Sequence, residues 1–159
     1  VNKPNSLREH LLAVVPDLAH NPDRLLIFID DGTLRCTSAA SLSWEYVYTL
    51  QVILTDFAGH PDSVMLPLLG WISVHQNELL ANLEKSAQGI GFEVDVLDAS
   101  KVDLAISLPL TERVIVAKND QGSTTLTHPQ EPQPAMAILD PAWPAAGADA
   151  TREWYVPHG

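Results

Sequence analysis

The sequence predicts an α+β fold: a mostly antiparallel, mixed sheet with a long central strand and two helices packed on one of its faces. Three observations predict it. Ser43–Thr55 alternates throughout, with Trp44, Tyr46, Tyr48, Leu50, Val52 and Leu54 on one side and Ser43, Glu45, Thr49, Gln51 and Thr55 on the other; only Val47 and Ile53 break the pattern. That is the period of a strand with one buried face, at roughly twice the usual strand length. Two segments carry helical spacing instead, one before this strand and one after it. Several short alternating segments then follow between Phe92 and Thr127.

In chain order, Ser6-Leu7-Arg8-Glu9 fits a capping box, and Leu7, Leu11, Val14, Val15 and Leu18 recur on one helical face. Pro16 removes a hydrogen bond from this helix and predicts a kink or an end near it, with Asn21-Pro22-Asp23 as the stop. Leu25–Ile29 is a short apolar strand. Asp30-Asp31-Gly32 signals a hairpin turn from which Thr33–Thr37 returns. After the long strand, Asp56–Asp62 breaks the pattern. A second helix is expected from there to about Asn82, with Met65, Leu68, Leu69, Ile72, Leu79 and Leu80 on its apolar side and Trp71 flanking. Asp62 suits its dipole, while Pro67 falls early and Gly70 weakens the middle.

Phe92–Leu97 and Val102–Leu110 alternate as strands, and Glu112–Ala117 continues the second. Pro109 cannot donate to a ladder, so it predicts a bulge, an edge position or a bend. Asn119-Asp120-Gln121-Gly122 is a hairpin turn, with Ser123–Thr127 returning. Half of the chain's 12 prolines lie from Pro129 onward, among alanines and without a period. Residues 1–128 are therefore expected as a single α+β domain and 129–159 as a Pro/Ala-rich tail. That tail still carries Met136, Ile138, Leu139, Trp143, Trp154 and Tyr155, apolar groups that favour docking on the domain or on a neighbouring copy.

Composition excludes more than it assigns. The 159 residues suffice for one sizeable core. A net charge of −11, with nine basic residues scattered and never adjacent, lacks the positive footprint of a nucleic-acid surface. The acidity serves solubility, a basic partner, or a channel through which DNA must pass without sticking. No apolar run has the length of a membrane span. Val1-Asn2-Lys3-Pro4 has no apolar h-region, so no signal peptide is expected there. The single cysteine, Cys36, allows no internal disulfide and makes a reducing compartment the default.

The tempting sites weaken on inspection. Phe28-Ile29-Asp30-Asp31-Gly32-Thr33-Leu34 is similar to the first motif of haloacid dehalogenase phosphatases, but Ile29 stands where the nucleophilic aspartate belongs. The six histidines show no metal-binding spacing, and Gly89-x-Gly91 lacks a dinucleotide-binding context. Glu45, Glu93 and Asp95 read as a polar strand face. No catalytic residue, metal or cofactor is expected. Arg24 and the Glu112-Arg113 pair adjoin strong apolar runs, and an intersubunit salt bridge is their sharper reading.

Several segments together resemble the tail completion protein R family of phage P2-like viruses and prophages. They are Asn21-Pro22-Asp23-Arg24-Leu25, Ser41–Tyr46, Tyr48-Thr49-Leu50, Thr55–Pro61 and Leu108–Val114, in order between Leu7 and about Val116. The resemblance implies a tail-terminator-like fold and a structural, non-enzymatic protein of a contractile tail. It implies a ring, usually sixfold, on the head-proximal end of tube and sheath, which stops growth and prepares the tail to join the head. The partners implied are copies of itself, tube and sheath proteins and head–tail connector proteins. The place implied is the host cytoplasm during assembly and then the tail of a phage or phage-like particle. Arg24, Trp44, Tyr46, Glu112, Arg113, Trp143 and Trp154 are the residues expected at subunit or tube contacts. The rival reading is a monomeric adaptor or assembly factor of the same particle.

Overall fold

The structure, a computed structural model, describes residues 1–36, 41–81, 84 and 89–131. Helix α1 (Lys3–Val14) and the short α2 (Pro16–His20) lead through a 3-10 turn (Pro22–Arg24) into β1 (Leu25–Cys36) and β2 (Trp44–Phe57). Then come α3 (Asp62–His75), α4 (Glu78–Ala81), β3 (Gly91–Val96), β4 (Val102–Lys118) and β5 (Thr124–Thr127). The strands form one sheet in the order β1-β2-β4-β3, with β5 on the far part of β4. Every pairing among the described residues is antiparallel, in keeping with the expected α+β fold built on a mostly antiparallel sheet.

The helices cover one face. Leu7, Leu11, Val15 and Leu18 from α1–α2 and Val64, Leu68 and Ile72 from α3 meet Leu50, Val52 and Leu54 of β2 and Leu104, Ile106 and Leu108 of β4. All are at most 1% exposed, which makes this the single core of the described chain. Tyr48, Leu50, Val52 and Leu54 are buried, as the strand period predicts, while Trp44 and Tyr46 at the near end are only half-buried. Arg8 ties α1 to the sheet by donating to the Leu25 carbonyl at 2.8 Å. Trp71 Nε1 donates to Ser6 Oγ at 3.1 Å, locking α3 against α1.

Four local expectations are corrected. First, Ser6 does not cap α1. The helix starts at Lys3 with Pro4 in its first turn, Ser6 N–H already donates to the Asn2 carbonyl, and Val14 is exposed. Pro at the first turn costs no hydrogen bond, so the helix reaches back past the capping signal. Second, the helix expected to run to about Asn82 is broken at Gln76 (φ −151°), whereas Val15, extended ahead of Pro16, breaks the first helix where the proline predicts. Third, β2 runs on to Phe57 through an irregularity in which Asp56 takes φ 51°.

Fourth, Asp30-Asp31-Gly32 is not a hairpin turn. Strand β1 continues to Cys36, and its pairing with β2 shifts register between Asp30 and Thr33. Asp31 takes the left-handed conformation at φ 51°, its N–H bonded to Asp30 Oδ1 at 3.0 Å. Left-handed backbone serves a bulge as well as a turn, and here β2 offers partners on both sides of it. The second predicted turn is real. Asn119 Oδ1 accepts from the N–H groups of Gln121 and Ser123, and Gly122 takes φ 82°.

Candidate functional site

The cross-strand register decides which predicted residues gather. Cys36, Trp44 and Val114 form one row across β1, β2 and β4, and Leu34, Tyr46 and Glu112 the next. Arg35, Glu45 and Arg113 lie between them, on the opposite face. The three strands thus project together beyond the helices. Leu34 is 59% exposed at this end, and Trp44 and Tyr46 meet edge-to-face with ring centroids 6.0 Å apart. Arg35 stands 3.8 Å from Glu45, a solvent-exposed ion pair worth little in stability. Arg113 is exposed and has no ion-pair partner among the described residues.

Two depressions mark this end. One is apolar, lies at the bulge and is lined by Val1, Ile29, Gly32, Leu34, Tyr46 and Tyr48, with Thr33 and Val47. The other lies at the tip, between Arg35, Trp44, Glu45, Arg113, Val114 and Ile115. Trp44 Nε1 is buried there with no hydrogen-bond partner among the described residues. A buried donor without an acceptor is costly and rare.

Glu112 turns the other way from Arg113, as neighbours on a strand must. Its carboxylate is buried. Oε1 accepts from the N–H groups of Asn2 (2.6 Å) and Lys3 (3.1 Å), and Oε2 accepts from the Tyr48 hydroxyl (2.6 Å). A strand carboxylate therefore caps α1 from across the fold, where the helix dipole favours negative charge. Burial, the hydrogen bond to Glu112 and its negative charge together hold the Tyr48 phenol far above the usual range. Glu112 is thus engaged inside its own subunit, and the exposed member of the predicted pair is Arg113.

Next to this carboxylate the edge of β4 is closed by side chains. Strand β3 pairs with Val102–Ser107 and β5 with Ile115–Lys118. Between them Thr111 N–H donates to Gln76 Oε1 at 3.2 Å, and Lys3 Nζ donates to the Thr111 carbonyl at 2.6 Å. Lys3 Nζ also reaches Gln76 Oε1 (2.7 Å) and Glu131 Oε1 (2.9 Å). Pro109, two residues before Thr111, turns its nitrogen to this same side, where β3 has ended and no ladder donor is required. His75 stacks on Trp71 at 4.6 Å. Desolvation, then the charges of Lys3 and His10, lower its pKa, with Glu131 opposing.

Arg24 lies at the other end of the sheet, donating to the Asp56 carbonyl at 3.1 Å and 4.0 Å from Asp17. Trp143 and Trp154 lie outside the described residues. The contributions of Lys3, Gln76 and Tyr48 escaped sequence reasoning, because each joins positions far apart in the chain. Glu112 carried a signal only in hindsight: a carboxylate on the inward side of an alternating strand. Among the described residues no group of three or more histidine, cysteine, aspartate or glutamate side chains is placed to hold a metal ion. None of the described helices is long and apolar enough to cross a membrane.

The sequence model of the P2 phage tail completion protein R family matches residues 1–132. Tail completion protein R of Escherichia phage P2 is 38% identical over 152 residues, covering 96% of this chain and 97% of the P2 protein. No solved structure matches the chain. The match to the family extends over both depressions, the buried carboxylate and the closed edge of β4, and by that match and by its likeness to the P2 protein the chain belongs to the phage P2 tail completion protein R family.

Proposed function

We propose that this tail completion protein acts as a structural part with no bond made or broken. Copies of it close into a ring, sixfold, at the head-proximal end of the tube and sheath of a contractile tail. The ring ends tube growth and presents a surface to the connector proteins of the head. Assembly takes place in the host cytoplasm, and the ring remains in the tail of the particle.

The observation that carries this reading is the projecting end of β1, β2 and β4. Trp44 holds a buried N–H there with no partner among the described residues, and Arg113 is exposed at the same tip on the opposite face. An acceptor group from a neighbour would satisfy the indole, and a carboxylate would pair with the guanidinium. A closed ring needs two different surfaces on each subunit. Arg24, at the opposite end of the sheet, belongs to the second. Tyr46 backs Trp44, Glu112 fixes the strand behind Arg113, and Trp143 and Trp154 supply further apolar contact.

Light scattering and native mass measurement in the presence of purified tail tubes test the reading. Rings on tube ends, lost with Trp44→Ala or Arg113→Glu, are expected. Protein that stays monomeric and leaves tube length unchanged overturns it, whether the protein binds as an adaptor or not at all.

A further inference from the structure

The apolar depression at the bulge of β1 has no occupant among the described residues, although its walls are among the least suited to water. Val1 and Ile29 are each 43% exposed and Leu34 is 59% exposed, around the half-buried Tyr46 and the buried Tyr48. We propose that the segment Met136–Leu139 of the same chain docks in this depression, burying Ile138 and Leu139 against Leu34 and Ile29.

The place where the described chain ends argues for this occupant. Glu131 is ion-paired with Lys3 Nζ at 2.9 Å. Lys3 and Asn2 hold the Glu112 carboxylate, whose other oxygen holds Tyr48, and Tyr48 and Val1 line the depression. The chain is therefore pinned at the outer edge of β4, two strands from β1 and joined to the depression through the start of α1, before the segment begins. Met136-Ala137-Ile138-Leu139 is the first apolar run after that pin. Leu139 can reach about 26 Å from Glu131 when extended. A short tether gives an effective concentration in the millimolar range, so docking on its own subunit outcompetes docking on another at ordinary protein concentration. The tip depression with Trp44 and Arg113 stays open to a neighbour, and this inference stands whether or not a ring forms.

Disulfide trapping in the full chain tests it. In a Cys36→Ser background, Leu34→Cys with Leu139→Cys is oxidised by oxidised glutathione in dilute solution. Leu26→Cys with Leu139→Cys serves as control, because Leu26 is 50% exposed on the opposite face. The Leu34 pair is expected to close within one chain at least roughly tenfold faster than the control. Equal rates for the two pairs, or products that are chiefly dimers, overturn the proposal. A second measurement needs no cysteine: amide exchange across Ile29–Leu34 should quicken severalfold in full-length Ile138→Asp/Leu139→Asp. Unchanged exchange counts against docking.

Discussion

Glu112 illustrates how much one side chain carries in this protein. It caps α1, holds Tyr48, and sits where Lys3 and Gln76 close a strand edge. Glu112→Ala strands the N–H groups of Asn2 and Lys3 and a buried phenol, and should cost about 3 kcal/mol in urea unfolding. Gln76→Ala leaves the Thr111 N–H and the Lys3 ammonium short of an acceptor and should cost about 2 kcal/mol by the same measurement. His75 gives a pH signature. Its folded pKa lies below the ordinary 6.5, so the neutral ring is the form the fold accepts. Above pH 6.5 neither state binds the proton and the contribution is fully present. As pH falls below 6.5 the unfolded chain takes up a proton that the folded chain resists, and stability drops until the folded value is passed. Urea unfolding between pH 7.5 and 5.5 should show a smaller loss in His75→Gln than in the parent chain. An identical loss would remove His75 from the account.

At the scale of elements, β4 shows how a central strand tolerates a proline. Pro109 faces the gap between β3 and β5, and the Thr111 N–H on the same edge donates to Gln76 Oε1. Pro109→Ala should therefore change stability by less than about 1 kcal/mol, through the unfolded chain alone. Thr111→Pro, two residues along the same edge, removes a bonded N–H and should cost about 3 kcal/mol or more. The bulge in β1 makes a parallel case. Asp31 tolerates φ 51°, whereas Asp31→Val places a β-branched residue there and should cost about 1–2 kcal/mol. The alternation of residues 43–55 and the apolar spacing of Leu7, Leu11 and Leu18 made the sheet and its helical cover legible from sequence, because both periods report burial directly. The bulge was misread as a turn because Asp-Asp-Gly favours left-handed backbone in either setting. Whether the strand reverses or continues depends on β2 as a partner, which local sequence does not contain.

At the scale of the whole molecule, the sheet is longer than its helical cover, and the uncovered end is where an assembly surface is expected. Trp44 is half-buried and lies outside the core cluster, so Trp44→Ala should lower stability by less than about 2 kcal/mol, below the usual cost in a core, while abolishing ring formation on tubes. A loss of about 4 kcal/mol with rings retained would make the indole a core residue instead. Sequence alone determined the main strands and helices, the net acidity and the family, since periodicity, composition and ordered motifs are properties of the chain read in line. Only the tertiary structure decided that Glu112 faces inward while Arg113 faces out, that Lys3 and Gln76 seal β4, and that Trp44 keeps a buried N–H without an acceptor among the described residues. Those outcomes depend on which distant residues meet across the register of β1, β2 and β4, and such meetings leave no local trace in the order of amino acids.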